Sequence, residues 1–208
     1  PNGLNLNEFR EIKPIKRSNF LKKYNIKSTL YNKFIIMGTL GRLHKKKSLD
    51  VAINAISLLK DSDIDAILFI VGPDSGMKNK LRLLVKNKKL LDRVFFLDQI
   101  SGKEKIQYLK SLDIFLMPSE SENFGMVALE SLASGVPVVA STNTPWSILN
   151  KANAGISCLN NAQSFTNSIK EIISSDIKSY KKSALLLSKE FEYSKVAKMI
   201  ERLYLDLK

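Results

Sequence analysis

Short runs of consecutive apolar residues alternate along this chain with longer segments whose apolar residues recur every three or four positions. The apolar runs have the length of buried β-strands and cover residues 34–40, 66–71, 93–97, 114–117, 136–140 and 155–157. The segments between them have the period of helices that bury one face. Strands and helices that alternate in this way predict an α/β fold, with a doubly wound parallel sheet flanked by helices.

Three serines mark expected helix starts. Ser48 is expected to cap the helix that follows the first strand, and Ser101 with Glu104 has the spacing of a capping box. Ser18 is expected to cap a short helix within residues 10–28.

The composition is that of a soluble globular protein, with 44% hydrophobic and 25% charged residues. The apolar runs are much shorter than the roughly 18 residues of a membrane-spanning helix, so no span is predicted. Cys158 is the single cysteine, which excludes an internal disulfide and predicts a small core residue in a reducing compartment. No signal-peptide pattern opens the chain. The reducing compartment that the single cysteine indicates predicts a cytoplasmic protein.

The formal net charge is +13, from 33 Lys and Arg against 20 Asp and Glu. This charge has two interpretations: a surface that only contacts solvent, or a surface that attracts acidic lipid or a lipid-phosphate acceptor. The lysines are spread along the chain rather than interleaved with aromatic residues, which argues against nucleic acid as a partner. The charge therefore leaves a peripheral contact with an anionic membrane open.

Residues 111–150 contain no Lys or Arg, although the chain average predicts about six, so one surface is expected to lack cations. Glu122 lies in the polar loop of this stretch. Glu130 lies in the following helix at the margin of its apolar face, where an ionised carboxylate needs hydrogen-bond donors. No cation nearby in the sequence supplies them, whereas the hydroxyl groups of a bound sugar could. The amides of residues 124–127, at the helix start, form a site for anionic or electron-rich oxygen atoms.

The loop of residues 41–47 directly follows the first expected strand and is cationic. Doubly wound folds bind ligands at the carboxyl ends of their strands, and Arg42 and Lys47 suit a ligand that carries phosphate. Gly72 follows the second strand, where a glycine either forms a plain turn or lets the backbone approach a ligand. His44 is the single histidine and is expected to be a bystander, with no second metal ligand near it.

The run Glu122-Asn123-Phe124-Gly125, followed after seven intervening residues by Glu130, resembles the Glu-x7-Glu signature of retaining family 4 glycosyltransferases with the GT-B fold. Pro118-Ser119 lies at the distance at which that family has Pro-Ser. Gly41-Arg42-Leu43 with Lys47 is similar to the family's Gly-Arg-Leu-x-x-x-Lys-Gly element. Asn123 and Ser48 stand where glycine is usual, and Asn is the residue that best tolerates a positive φ in its place.

This resemblance implies a donor site for a nucleotide-diphosphate-sugar. In the catalytic set, Arg42 and Lys47 would hold the diphosphate and stabilise the leaving group, while Glu122 would bind the transferred sugar. Glu130 would bind the ribose. The remaining residues implied in donor binding are Gly41, Gly72, Asn123, Phe124, Gly125, Met126, Val127, Arg93 and Val94, the last two beside the base. No metal ion or other cofactor is expected, because the two cations carry out the charge neutralisation that a metal would provide.

The resemblance also implies the domain organisation. Residues 1–9 resemble the segment that joins the two halves of these enzymes, so residues 1–28 are expected to be an inter-domain connection with a short helix. Residues 29–208 would form the Rossmann-like, nucleotide-sugar-binding half of a GT-B architecture. The N-terminal half, which would bind a saccharide or lipid-linked saccharide acceptor, is expected to lie outside this chain. We therefore expect the chain alone to bind nucleotide weakly and to transfer nothing.

Three alternatives stay open at this point. A sugar-nucleotide epimerase or a phosphorylase with the GT-B fold would carry a similar donor site. A non-catalytic sugar-nucleotide-binding module and a nucleic-acid binder are the other two. The resemblance favours sugar transfer in the synthesis of surface polysaccharide, lipopolysaccharide or glycolipid, at the inner face of the cytoplasmic membrane. Trp146 would either stack on a sugar or plug the edge of the domain.

Overall fold

A computed structural model, which describes residues 2–24 and 34–205, contains a six-stranded parallel sheet. The strands are β1 (Ile35–Leu40), β2 (Ala66–Val71), β3 (Val94–Leu97), β4 (Ile114–Met117), β5 (Val138–Ser141) and β6 (Gly155–Cys158). Their order across the sheet is β3-β2-β1-β4-β5-β6, and every neighbouring pair is parallel. The chain thus moves outward from β1 in one direction and then in the other, which confirms the doubly wound, Rossmann-like fold.

The strands β2 and β4 coincide with the predicted apolar runs, and the other bounds shift by one or two residues. The largest shift is in β5, which begins at Val138 rather than at residue 136. Pro137 has no N–H to donate to a neighbouring strand, although its carbonyl accepts a hydrogen bond from the Phe115 amide at 2.9 Å. The Val136 amide instead donates to Ser131 and closes the preceding helix.

Helices cover both faces of the sheet. They are α1 (Leu6–Glu11), α2 (Arg17–Lys23), α3 (Leu49–Lys60), α4 (Lys78–Asn87), α5 (Gly102–Lys110), α6 (Met126–Ala133), α7 (Ile148–Ala152), α8 (Ala162–Ser174), α9 (Ile177–Ser188) and α10 (Tyr193–Leu205). None of the helices in the described part of the chain has both the length and the apolar character that crossing a membrane requires.

Alternate residues of the central strands point into two separate cores. In β2, Ile67 and Phe69 pack into the first core, while Leu68 and Ile70 pack into the second. The helices α1, α2, α5 and α6 supply buried residues to the first core, and α3, α4 and α8 supply them to the second. Strands buried on both faces explain why their sequences are continuously apolar rather than alternating.

Residues 2–24, which the sequence assigned to an inter-domain connection, pack against this body. The Leu4 amide donates to the Phe191 carbonyl at 2.9 Å, and the Tyr193 amide donates back to Leu4 at 3.2 Å. Phe9 and Phe20 are buried in the first core. The boundary predicted between residues 28 and 29 lies outside the described residues.

The three expected serine caps do not form. Ser48 and Ser101 occupy the N-cap positions of α3 and α5, as predicted, but neither side chain accepts a hydrogen bond from its helix. Ser18 lies inside α2, whose N-cap is Lys16. Ser48 has φ 42° and ψ 45°, and its hydroxyl donates to Glu120 at 3.4 Å. The backbone at Ser48 is therefore left-handed, a conformation that residues other than glycine adopt at a cost in free energy.

Replacing Ser48 by glycine is expected to raise the free energy of unfolding by about 0.5–1 kcal/mol, because relief of the left-handed strain exceeds the added entropy of the unfolded chain. Urea denaturation of the chain measures this change. Ser57, inside α3, is the matched control: glycine there should destabilise the protein by about 0.5–1 kcal/mol. A destabilising Ser48→Gly would show that the hydroxyl contact with Glu120 matters more than the backbone strain.

The order of strands reverses between β1 and β4, which are neighbours in the sheet but are separated along the chain by β2 and β3. The helix after β1, α3, lies on one face, and the helix after β4, α6, lies on the other. A crevice therefore opens between the loops that leave the carboxyl ends of these two strands.

Candidate functional site

The crevice between β1 and β4 holds a cavity of about 530 Å³. Two loops form most of its wall: residues 40–47 after β1, and residues 121–127 after β4. The predicted site residues that line it are Gly41, Arg42, Lys47, Glu122, Asn123, Phe124, Gly125, Met126 and Val127. The structure thus brings together segments about 80 residues apart in the sequence, at the carboxyl edge of the sheet.

An ion pair joins the two loops across the cavity. Lys47 Nζ donates to Glu122 Oε1 at 2.5 Å, and Ser119 Oγ donates to the same oxygen at 2.7 Å. The Glu122 side chain is only 13% exposed. The loops are joined a second time where the Glu120 amide donates to the Lys46 carbonyl at 2.8 Å. The expected cation-free surface is therefore wrong, because the fold delivers a lysine from a distant part of the chain to Glu122.

Arg42 is exposed and lines the same cavity. Among the described residues, its guanidinium has neither a hydrogen-bond acceptor nor an ion-pair partner. A guanidinium beside a cavity with no protein carboxylate to satisfy it can bind an anionic ligand in a bidentate way. Arg42 and Lys47 thus differ, since Lys47 must exchange its contact with Glu122 for one with a ligand or share it.

The helix α6 begins at this cavity without a capping side chain. Its N-cap is Gly125, at φ 79°, so the positive φ that the sequence placed on Asn123 falls two residues later. A Cβ at Gly125 would also come within 3.0 Å of Met117 Cε and 3.1 Å of Trp146 Nε1. The first amides of α6 therefore face the cavity from a left-handed backbone that favours glycine.

Trp146 fixes the loop before α6 from behind. Its Nε1 donates to the Phe124 carbonyl at 2.7 Å, and its ring lies 5.3 Å from the Phe124 ring and 5.7 Å from the Phe191 ring. Trp146 is only 1% exposed, so of the two roles left open by the sequence it has the packing role.

Gly72 lies directly beneath the β1 loop. A Cβ there would fall 2.1 Å from the Gly41 carbonyl oxygen, so no other residue fits without moving the backbone. The Gly41 amide donates to Val71 at 2.9 Å, and the Leu43 amide donates to Pro73 at 2.9 Å. The loops after β1 and β2 are thus held together, which fixes the position of Arg42.

A second cavity, of about 440 Å³, adjoins the first and shares Gly41 and Arg42 with it. Gly72, Gln99, Ser101 and Lys105 are among its lining residues. Lys105 Nζ donates to Glu130 Oε1 at 2.6 Å, and the Glu130 side chain is largely buried. Glu130, which the sequence left without a cation, therefore has one from α5.

A family model described as "Glycosyl transferases group 1" matches residues 22–184, which is more than half of the chain. The chain belongs to this family. Among curated group 1 relatives, the O-antigen biosynthesis glycosyltransferase WclY of Escherichia coli is 37% identical over 126 residues, 61% of this chain and 33% of WclY. The alpha-monoglucosyldiacylglycerol synthase of Streptococcus pneumoniae is 33% identical over 144 residues, 69% of this chain and 32% of that enzyme. The matched part thus spans about a third of the length of these relatives.

Solved structures show the same fold. Anabaena Alr3699/HepE in complex with UDP and glucose has a TM-score of 0.82 and 19% identity, and the match covers 98% of this chain and 55% of that one. The sheet and its flanking helices are those of GT-B glycosyltransferase structures.

Two of the residues implied in donor binding lie outside the crevice of this group 1 chain. Arg93 and Val94 stand at the amino end of β3, whereas both cavities lie at the carboxyl ends of the strands. Arg93 pairs with Asp65 at 3.1 Å, and Val94 is buried in the second core. Arg93 and Val94 therefore lie apart from both cavities, because the amino and carboxyl ends of a parallel strand lie at opposite edges of the sheet, and their contact with the base stays a prediction.

Sequence reasoning missed Lys105, although a signal for it was present. Lys105 lies four residues before buried Leu109 and three before buried Tyr108, which places it on the inward-facing side of α5. A lysine on that side requires a partner, and Glu130 is the one it has.

The single histidine, His44, lines the first cavity beside Arg42 and Lys47. Its Nδ1 accepts a hydrogen bond from the Lys46 amide at 3.2 Å. Within residues 2–24 and 34–205, no three His, Cys, Asp or Glu side chains come together in a group that could hold a metal ion. His44 therefore has a local structural contact, and its role as a bystander stays a prediction.

Proposed function

We propose that this chain is the donor-binding half of a retaining family 4 glycosyltransferase, which transfers a sugar from a nucleotide-diphosphate-sugar to an acceptor. The observation that carries this proposal is the convergence of Lys47, Glu122 and the unpartnered guanidinium of Arg42 at the start of α6. Two cations, a carboxylate and helix-start amides in one crevice suit a ligand with both an anionic part and hydroxyl groups.

In the proposed complex, the diphosphate lies between Arg42 and Lys47. As the bond between the sugar and the diphosphate breaks, negative charge grows on the leaving group, and the two cations stabilise it without a metal ion. Glu122 accepts hydrogen bonds from hydroxyls of the transferred sugar. The amides of residues 124–127 orient the sugar or its phosphate.

The nucleoside occupies the second cavity in this proposal. Arg42 borders both cavities, so a ligand that extends from one to the other keeps its diphosphate beside the guanidinium. Glu130, held by Lys105, accepts hydrogen bonds from the ribose hydroxyls. The loops that contain Gly72 and Gln99 surround the base, in place of Arg93 and Val94.

The acceptor and the rest of the enzyme are assigned to an N-terminal half. The helix α10 supports this assignment, because Met199, Ile200, Leu203 and Tyr204 are exposed on it and a second half could cover them. The acceptor would be a saccharide or a lipid-linked saccharide, in surface polysaccharide, lipopolysaccharide or glycolipid synthesis on the cytoplasmic side of a membrane. In this arrangement the isolated chain binds donor and transfers nothing.

Replacing Glu130 by glutamine is expected to weaken binding of the preferred nucleotide by about tenfold, the usual contribution of a charge-assisted hydrogen bond. Calorimetry with UDP, GDP, ADP and CMP first identifies the preferred base. The loss should be much smaller for the corresponding 2′-deoxynucleotide, which lacks one of the hydroxyls that Glu130 binds.

The matched control is Glu120→Gln, an exposed carboxylate in the same segment that contacts Ser48 and is not held by Lys105. It should leave nucleotide affinity unchanged. If no nucleotide or nucleotide-sugar bound the chain, the proposed donor site would be wrong. Equal losses of affinity for the ribonucleotide and the deoxyribonucleotide would contradict only the proposed contact between Glu130 and the ribose.

A further inference from the structure

The outer face of α4 and the turn after it form a cationic surface that the donor site does not use. We call this surface the α4 face, and it consists of Lys80, Arg82, Leu83, Lys86, Lys88, Lys89 and Leu91, all exposed. Leu83 is 58% exposed and Leu91 is 69% exposed. Five cations thus surround two leucines that the fold leaves in solvent.

The position of Leu83 is the most informative feature of the α4 face. The helix packs on the second core through Leu81 and Val85. At about 100° per residue, Leu83 is about 200° away from each of them, so it lies on the opposite side of the helix. Arg82 and Lys86 are on one side of Leu83, and Lys80 is on the other. The leucine is therefore at the middle of the cationic face rather than at the border of the core.

Few carboxylates neutralise this surface. The helix contains no Asp or Glu, and Asp92 is the nearest acid along the following turn. Among the described residues, the side chains of Lys80, Lys86, Lys88 and Lys89 have no ion-pair partner. Arg82 lies over the Phe96 ring at 5.8 Å, and Lys60 donates to the Lys89 carbonyl at 2.9 Å, which adds a sixth cation at the margin. The positive charge of the α4 face is thus available to an external partner.

The combination of lysines with exposed leucines favours one kind of partner. Lysine side chains are attracted to the many phosphates of a membrane surface. Leucines exposed on the same face can enter the boundary between headgroups and acyl chains. Nucleic acid would gain from exposed aromatic rings for base stacking, and the α4 face contains none. We propose that the α4 face binds the surface of an anionic phospholipid bilayer, with Leu83 and Leu91 inserted and the lysines against the headgroups.

This contact would leave the donor crevice open. The helix α4 connects β2 to β3 and lies over the β3 end of the sheet, whereas the first cavity opens between β1 and β4. The proposal does not depend on the transfer reaction, because it concerns residues that line neither cavity.

Vesicle cosedimentation of the 208-residue chain tests the proposal. We expect binding to vesicles of equal parts phosphatidylcholine and phosphatidylglycerol, much weaker binding to pure phosphatidylcholine, and a steep loss of binding with added salt. Replacing Lys80, Lys86 and Lys88 together by glutamine should weaken binding to the anionic vesicles by about tenfold to a hundredfold, since three cations lose their attraction to the surface.

Replacing Leu83 and Leu91 by serine tests insertion separately from charge. This variant keeps every cation and should weaken binding several-fold while the salt dependence stays the same. All of these positions are exposed, so the variants should unfold thermally at the temperature of the unmodified chain.

A matched control lies on α9 and the residue directly after it, a segment that also carries exposed lysines and leucines. Replacing Lys178, Lys182 and Lys189 by glutamine removes the same charge, and Leu186→Ser removes a similar exposed leucine. These variants should bind anionic vesicles within about twofold of the unmodified chain, apart from a small effect of net charge.

Three results would overturn the proposal. Equal losses for the α4 and α9 variants would show that net charge alone drives binding. Equal binding to neutral vesicles would assign the contact to apolar surface elsewhere, such as α10. Displacement from anionic vesicles by duplex DNA or RNA at low concentration, with the α4 lysines required for the nucleic-acid binding, would identify nucleic acid as the partner.

Discussion

Replacing Lys47 by methionine in the complete enzyme is expected to lower the rate of sugar transfer about a hundredfold to a thousandfold. This is the usual effect of removing one hydrogen-bond donor that stabilises a developing negative charge. Lys47 is held in the crevice by its 2.5 Å contact with Glu122, so its ammonium is in place before the donor arrives. Methionine resembles the alkyl part of the lysine side chain and removes the ammonium group, with its charge and its hydrogen-bond donors. The loss should appear mainly in kcat, because the leaving-group charge is greatest in the transition state.

The matched control for this experiment is Lys45→Met. Lys45 lies in the same loop and carries the same charge, but it is exposed and does not line the cavity. It should retain nearly the full rate. Lys47→Arg should recover part of the loss, since the charge returns with a different geometry. Equal effects of the Lys45 and Lys47 substitutions would show that the loop acts only through its overall field, which would contradict the assigned role of Lys47.

The fold was predictable from the sequence because its strands are buried on both faces. Such strands are continuous apolar runs, and β2 and β4 match the predicted runs without a shift. The strand edges that moved did so for local reasons: Pro137 cannot donate to the ladder, so β5 begins one residue after it. Apolar periodicity specifies that a strand exists, whereas single backbone donors decide where it begins.

The sequence predicted the location of the candidate site at the carboxyl ends of the strands, but not the contacts within it. Residues of the loops after β1 and β4 come together because the strand order reverses there. The sequence pattern predicts a doubly wound sheet but does not say which two strands flank the reversal. The partner of each carboxylate was not predictable, since Lys47 reaches Glu122 over 75 residues and Lys105 reaches Glu130 from a different helix. The position of Arg93 and Val94 apart from both cavities has a related cause, because naming a strand does not say which of its ends faces a ligand.

Local backbone geometry was the least predictable feature. The positive φ expected at Asn123 belongs to Gly125, and Ser48 adopts a left-handed conformation where the sequence indicated an ordinary helix cap. In both places the path of the loop is set by contacts with other parts of the chain, such as Trp146 behind Gly125. Sequence pattern alone contains no information about those contacts.

Replacing Asp113 by alanine is expected to destabilise the protein by about 2–4 kcal/mol, because it removes a largely buried carboxylate from two cations. Asp113 precedes β4 at the amino edge of the sheet, and its side chain is 14% exposed. Its carboxylate accepts hydrogen bonds from Arg17 at 2.8 Å, Lys181 at 3.1 Å and the Ile36 amide at 2.9 Å. These contacts join α2, α9 and β1 to β4, so urea denaturation should show the loss as a lower midpoint with an unchanged slope.

The pH dependence distinguishes the charge of Asp113 from its packing. Burial alone would raise the pKa of Asp113, but Lys181, Arg17 and the Ile36 amide together hold that pKa below its usual value. A lowered pKa in the folded state stabilises the protein above the unfolded pKa of about 3.9, and this contribution disappears as the pH falls through the folded pKa. Asp113→Asn keeps the shape without the charge, so its deficit in unfolding free energy should be full at neutral pH and shrink in acid. An exposed carboxylate such as Asp50, replaced by asparagine, should show little effect at either pH. A deficit for Asp113→Asn that stayed constant into acid would show that the loss comes from the new amide group facing Arg17 and Lys181 rather than from the missing charge.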